Sequence, residues 1–139
     1  MESVKKLLLP ALVLALLLSL AGCAGNLDSV TVDYGDSALH TQEEIDQAVR
    51  VVKDTFRTFN GCTLHSLSYA GDERAQAELD YYNAALENAA YISCIVLNSS
   101  FHSPKKGGGA WEPDTEYTWD WILAKESGGD WILIAYGYG

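Results

Sequence analysis

Asp120 is the residue of this sequence whose surroundings best suit acid–base chemistry. It lies between Trp119 and Trp121, and an aspartate with apolar neighbours can serve as a general base. The alternative is an aspartate at a solvated rim or paired with a lysine. A general base needs a second acid–base group as its partner. The sequence offers four candidates, but their spacing places none of them near Asp120: His65, His102, Tyr91 and Tyr117. We treat Asp120, and less directly His65, as the catalytic candidates.

Other chemistry has weaker support. His40, His65 and His102 are isolated, without an i, i+4 partner or a Cys/His spacing typical of zinc sites. Neither Ser93 nor Ser99 lies in a nucleophile-elbow context. We therefore predict no metal centre and no cofactor.

A hairpin near the end of the chain gathers large rings. The segments 116–125 and 131–138 flank Gly128-Gly129, a pair that favours a tight turn because both positions tolerate positive φ. If these two glycines form the whole turn, Trp121 faces Tyr136, Trp119 faces Tyr138 and Leu123 faces Ile134. The predicted ligand-binding side chains are Tyr117, Trp119, Trp121 and Tyr136; the alternative is that these rings fill the core.

The elements that would position these residues alternate between helix and strand. Thr41 and Glu44 have the spacing of a capping box, and a stripe of apolar residues from Ile45 to Phe59 predicts a helix. A strand at 62–69, a helix from 71 to about 88 and a strand at 90–101 follow, then a loop at 103–115 rich in glycine and proline. The predicted fold is α+β in the order α-β-α-β-β-β.

Cys62 and Cys94 allow two interpretations. An even pair of cysteines in an extracytoplasmic compartment can form a disulfide. Both, however, have apolar sequence neighbours, and a free thiol packs there as a small hydrophobic group.

The first residues have the three parts of a secretory signal. Lys5 and Lys6 precede an apolar run from Leu7 to Leu20, which is short for a transmembrane helix. Leu20-Ala21-Gly22-Cys23 resembles the lipobox of bacterial lipoproteins, which implies cleavage before Cys23 and lipidation of its sulfur; the alternative is an ordinary cleaved signal. We predict a signal peptide at 1–22, a lipidated N-terminus and tether at 23–38, and one domain at 39–139.

The charge of the chain limits its partners. It has 9 Lys and Arg against 19 Asp and Glu, a formal net charge of -10. Loss of residues 1–22 would remove Lys5, Lys6 and Glu2 and leave a charge of -11. Nucleic-acid binding needs a basic surface, so we predict no nucleic-acid partner and attachment to the membrane through acyl chains alone.

Several segments together resemble a family of small bacterial lipoproteins of the Firmicutes type. They are Leu39-His40-Thr41-Gln42-Glu43-Glu44-Ile45-Asp46, Gly61-Cys62-Thr63-Leu64, and the tryptophan- and tyrosine-rich end from Tyr117 to Gly139. The motifs are specific for membership and silent on function. The resemblance implies a nuclear transport factor 2-like, or cystatin-like, fold in which helices pack on a curved antiparallel sheet. Larger relatives use the pocket of that fold to bind small molecules or to transfer protons.

These observations favour a lipid-anchored binding or interaction domain on the extracytoplasmic face of the cell membrane. Its partner would be a small molecule, a glycan or an envelope protein. One alternative is an isomerase, dehydratase or hydrolase of the same fold that uses Asp120. The other is a homodimerisation module without a ligand.

Overall fold

A computed structural model describes residues 24–139, so the predicted signal peptide and Cys23 lie outside the described residues. The chain forms five strands and two helices in this part. In chain order they are β1 (Thr31–Asp33), α1 (Gln42–Phe56), β2 (Thr63–Tyr69), α2 (Asp72–Ala85), β3 (Tyr91–His102), β4 (Glu116–Glu126) and β5 (Ile132–Gly137). None of the helices between residues 24 and 139 is long and apolar enough to cross a bilayer.

The strands form a single sheet in the order β1-β2-β3-β4-β5. From β2 to β5 the neighbours are antiparallel, as expected, but β1 runs parallel to β2. The sheet is therefore mixed, and the expectation of a wholly antiparallel sheet is wrong for this edge. Helix α1 connects β1 to β2, which is the type of crossover that a parallel pair requires.

The segment predicted as a tether is largely folded onto the domain. Gly25 donates its N–H to the Arg57 carbonyl at 3.0 Å, and Asn26 bonds to the chain on both sides of Thr63. The side chains that contact the core from this segment are Leu27, Val30, Val32 and Tyr34. The prediction failed because alternate apolar residues here are too few to distinguish a short edge strand from a linker.

Helix α1 begins where the capping box predicts. The Glu44 N–H donates to Thr41 Oγ1 at 3.2 Å, and the Thr41 N–H donates to Glu44 Oε2 at 2.8 Å. Within the helix the predicted apolar stripe is buried at five positions: Ile45, Ala48, Val49, Val52 and Phe56. These side chains attach α1 to one face of the sheet. Phe59, the last residue of the predicted stripe, is buried just beyond the end of the helix.

The two helices cover opposite faces of the sheet. The α1 stripe packs with Ile95, Leu97 and Leu123, whereas Leu79 and Tyr82 of α2 pack against Cys94, Val96 and Ile122. Successive strand residues point to opposite faces, which explains why β3 is buried on both sides at its centre. The sequence indicated this strand by apolar residues at both parities.

The hairpin register agrees with the prediction away from the turn. Trp121 pairs with Tyr136, as expected, but Leu123 pairs with Leu133 and not with Ile134. A bulge between Ile122 and Leu123 shifts the register by one residue nearer the turn. The rings of Trp121 and Tyr136 consequently stack, with centroids 5.1 Å apart.

Of the two interpretations of Cys62 and Cys94, the structure has the free thiols: both cysteines are unbridged and buried. Cys62 precedes Thr63, which pairs with His102, and Cys94 lies eight residues further along β3. At about 3.3 Å per strand residue the two are separated by roughly 25 Å, far beyond disulfide reach. Burial raises the pKa of the Cys62 thiol to about 11 and that of Cys94 to about 12, so both stay neutral.

Candidate functional site

One face of the sheet is only half covered, and the open half is polar. Helix α2 packs over the apolar half around Val96 and Ile122. Beyond it the same face presents three cross-strand pairs: Asn98 with Asp120, Ser100 with Thr118, and His102 with Glu116. We call these six residues the polar strip. Polar side chains in a row on a rigid sheet are suited to hold a ligand, because their positions are fixed before binding.

Asp120 occupies the end of the polar strip next to α2. Its Oδ2 lies 3.1 Å from Nη2 of Arg74, and its Oδ1 accepts a hydrogen bond from the Asn98 amide. The Asp120 side chain is 13% exposed. Asp120 is therefore an ion-paired carboxylate at the base of an opening, and its cationic partner is an arginine from a helix.

That opening is a cleft of about 170 Å³ between α2 and β5. We call it the tyrosine cleft, because three tyrosines line it together with Arg74 and Asp120. The lining residues are Arg74, Tyr82, Asp120, Ile122, Ala135, Tyr136, Gly137 and Tyr138. Tyr136 and Tyr138 are 50% and 77% exposed, but their rings pack on Trp121 and Trp119 on the α1 face of the sheet, so these residues border the cleft only at the β5 edge.

None of the four expected partners of Asp120 lies beside it. Tyr117 is on the other face of β4 and is buried. Tyr91 pairs with Glu126 near the far end of β3. His65 and His102 both contact Glu116, four residues and about 13 Å along β4. Among residues 24–139, therefore, no histidine lies close enough to Asp120 to share a proton with it.

Two of the four predicted ligand-binding rings are core residues. Trp121 is fully buried and donates its indole N–H to Ser99 Oγ at 2.8 Å. Tyr117 is buried, and its hydroxyl accepts the Glu112 N–H at 2.9 Å. These two predictions are wrong, because the rings face α1 and fill the core. Trp119 is half-buried and Tyr136 half-exposed.

A second cluster lies at the other end of the polar strip. His102 Nδ1 is 2.8 Å from Glu116 Oε2, and His102 Nε2 is 2.7 Å from Asp114 Oδ1. His65 Nε2 lies 3.5 Å from the same Glu116 oxygen. Ser100 donates its hydroxyl proton to the other oxygen, Oε1. We call His65, His102 and Glu116 the histidine cluster.

The histidine and carboxylate groups of this cluster stabilise each other's charged forms. Hydrogen bonds from His102 to Asp114 and then to Glu116 raise the pKa of His102 above its ordinary value. Burial alone would raise the pKa of Glu116, but the bonds from Ser100 and His102 outweigh it, and that pKa is lowered. His102 therefore links two carboxylates through its two ring nitrogens, and this arrangement favours its protonated form more than a free imidazole would be favoured.

Sequence reasoning missed Arg74, Asn98 and the histidine cluster. One signal was present: Glu116 directly follows the loop that His102 precedes, and residues that flank a hairpin loop face each other. His65 had no such signal, because a helix separates its strand from β3.

The chain matches no family model, no curated protein and no solved structure.

Proposed function

We propose that this chain is a lipid-anchored, extracytoplasmic binding domain whose tyrosine cleft takes a small polar ligand rich in hydroxyl groups, such as a glycan fragment. The observation that carries the proposal is the fixed position of Asp120 between Arg74 and Asn98 at the cleft. A carboxylate, an amide and a guanidinium together supply both donors and acceptors for hydroxyl groups. Ligand sites commonly combine a few such groups with apolar and aromatic walls.

Apolar walls supply the second requirement of such a site. On the Asp120 side of the sheet they come from Tyr82 of α2, Ile122 and Ala135, and an aromatic ring offers a large contact area while its hydroxyl keeps a polar end. Tyr136 and Tyr138 border the cleft at the β5 edge, while their rings pack on the tryptophans of the other face. A partly apolar ligand face fits against Tyr82 and Ile122, with hydroxyl groups directed towards Asp120.

The enzymatic alternative with Asp120 as base has less support. The ion pair with Arg74 and the hydrogen bond from Asn98 engage both oxygens of the Asp120 carboxylate and hold it in place as an acceptor. Catalysis with Asp120 as base would also require a second acid–base group. Among residues 24–139, the side chains around Asp120 offer only tyrosines for that role. The homodimerisation module is likewise a hypothesis, to be tested by sedimentation.

The location part of the proposal depends on the sequence of the first 23 residues. The likeness to the lipoprotein family, and through it to a nuclear transport factor 2-like or cystatin-like fold, is part of the same proposal. It is consistent with two helices and a sheet in the order observed here.

Replacing Cys23 with alanine should prevent lipidation, because the acylated sulfur is lost. We expect the chain to leave the membrane fraction or to accumulate as an uncleaved precursor. Cell fractionation and the intact mass of the protein measure both outcomes, with Cys62→Ala as a control that retains the anchor. Unchanged membrane attachment and unchanged mass in the Cys23 variant would contradict the anchor.

A titration of the full chain in detergent with neutral mono- and disaccharides, followed by tryptophan fluorescence, tests the cleft. We expect saturable quenching, weakened about 10- to 100-fold in Asp120→Asn and Arg74→Gln, because each removes a charged hydrogen-bonding group. The control Asp80→Asn changes an exposed carboxylate of α2 outside the cleft. Binding that is equal in all variants, or absent for every saccharide, would refute the proposed site. Turnover that Asp120→Asn abolishes would favour the enzyme.

A further inference from the structure

We propose that the histidine cluster binds one divalent cation of the zinc class. His65 Nε2, His102 Nδ1 and Glu116 Oε2 would be the ligands. This inference is independent of the tyrosine cleft, because the cluster lies at the other end of the polar strip, about 13 Å along β4.

The spacing of the three ligand atoms supports the site. Zinc binds imidazole nitrogen at 2.0–2.1 Å and carboxylate oxygen at 2.0–2.2 Å, so neighbouring ligand atoms in a tetrahedron lie roughly 3.3 Å apart. The Glu116 oxygen is 2.8 Å from His102 Nδ1 and 3.5 Å from His65 Nε2. All three ligand atoms lie within 4.8 Å of one another. Small side-chain rotations are therefore sufficient to surround a cation.

Two of the ligands also have outer partners of the kind that metal sites use. Asp114 accepts the His102 Nε2 proton at 2.7 Å, which would leave Nδ1 free to face the cation. Ser100 holds the second oxygen of Glu116, which leaves Oε2 directed at the histidines. A histidine ligand that donates its other nitrogen to a carboxylate is the usual arrangement at zinc.

The backbone brings the ligands together through a specific irregularity. His65 has no Cα partner on β3, because the register shifts between Leu64 and Ser66. This bulge allows Leu64 and Leu67, three residues apart, to enter the same core, and it turns His65 towards Glu116. Bulges are common where a strand directs a side chain into a site. The three ligands consequently come from three adjacent strands.

The chemistry of the ligands selects the cation. Two imidazoles and one carboxylate suit zinc and its neighbours in the first transition series, whereas magnesium and calcium prefer all-oxygen sites. Three protein ligands leave a fourth position for water or for a group from another molecule. Their side chains are 49%, 35% and 46% exposed for His65, His102 and Glu116, so a cation can reach the site from solvent.

Isothermal titration of the full chain in detergent with zinc chloride, in a buffer with excess magnesium, tests the proposal. We expect one saturable site per chain and at least about 100-fold weaker binding in His65→Gln and in His102→Gln, since each removes a ligand. Asp114→Asn should weaken binding about 10- to 100-fold without removing a ligand. The control Glu112→Gln changes an exposed carboxylate of the same loop and should bind as the parent does.

Cobalt(II) absorption supplies a readout of geometry. An intense visible band of tetrahedral cobalt is expected in the parent and in Glu112→Gln, and its loss is expected in the two histidine variants. Circular dichroism of those variants separates lost ligation from lost folding, and both histidines are exposed enough for the fold to persist. Zinc binding that both histidine variants retain, that magnesium displaces, or that never saturates would overturn the proposal.

Discussion

Replacing Trp121 with alanine should lower the free energy of unfolding by about 3–5 kcal/mol, the range for large-to-small changes of buried aromatics. Trp121 is fully buried between the rings of Phe59 and Tyr136, with centroids 5.6 and 5.1 Å away. Its removal leaves a cavity at the centre of β4 and deprives Ser99 of a partner. Because small domains are stable by only about 5–15 kcal/mol, this loss is a large fraction of the total stability.

Urea unfolding followed by far-ultraviolet circular dichroism measures this loss without depending on the tryptophan signal. The matched control is Tyr81→Ala, an aromatic ring of α2 that is 61% exposed, for which we expect a change within about 0.5 kcal/mol. A loss below about 1 kcal/mol in Trp121→Ala would contradict the core position of the ring.

A second pair of variants separates the hydrogen bond from the volume. Trp121→Phe keeps most of the ring and loses the indole N–H, and Ser99→Ala removes the acceptor. Ser99 also donates to the Trp119 carbonyl at 3.0 Å, so its loss should cost about 1–3 kcal/mol. The two changes should be less than additive in a double-mutant cycle, because both remove the same bond.

The sequence was sufficient for those elements whose signals are local. Helix α1 has a capping box and a stripe at the helical period within one segment, and both are observed. Trp121 pairs with Tyr136 as a two-glycine turn predicts, because the bulge between Ile122 and Leu123 compensates for the one-residue shift of the pairs nearer the turn. Such signals involve residues less than about 20 positions apart, where a turn or a cap fixes the geometry.

Long-range pairing was beyond the same reasoning. The three residues of β1 acquire their structure only by lying parallel to β2, across the whole of α1. The bulge at His65 explains the imperfect alternation of β2, but alternation alone does not locate the extra residue. Successive residues of β3 are apolar, so both faces of this strand must be covered. The sequence does not say that a second helix covers the second face, and only that knowledge places the two helices on opposite faces.

The candidate sites divide in the same way. From Asn98 on, β3 changes from apolar at both parities to a segment in which only Phe101 is apolar, so a less buried end of this strand could be predicted. The partners of Asp120 and Glu116 could not. Arg74 comes from α2, 46 positions before Asp120, and His65 comes from a strand that the whole of α2 separates from its partner β3.

Asp72 links three parts of the chain through one carboxylate, and its replacement by asparagine should destabilise the domain. It accepts hydrogen bonds from Ser37 Oγ at 2.6 Å, from the Ala38 N–H at 2.8 Å and from the Tyr69 hydroxyl at 2.8 Å. Ser37 in turn accepts the His40 N–H at 2.9 Å. The carboxylate therefore fixes the segment before α1 against the end of β2 and the start of α2.

The same contacts predict a pH dependence. Bonds from Ser37, then Tyr69, then Ala38 lower the pKa of Asp72 from the ordinary 3.8 to about 2. Folding favours the charged form, so the stabilisation is complete above the ordinary pKa and is lost as the pH falls through the folded value. We expect the urea midpoint of the parent to fall between about pH 4 and about pH 2. In Asp72→Asn the midpoint should be lower at neutral pH and should fall less over that range.

Glu73→Gln is the control that isolates the hydrogen bonds from the helix dipole. Both variants remove one acidic side chain from the first turn of α2, where a negative charge interacts favourably with the helix N-terminus. Glu73 is exposed, so its variant should keep the acid-dependent loss of stability that Asp72→Asn reduces. If both variants gave the same acid profile, the dipole would account for the effect. The bonds that join residues 37–40 to α2 would then contribute little to the fold.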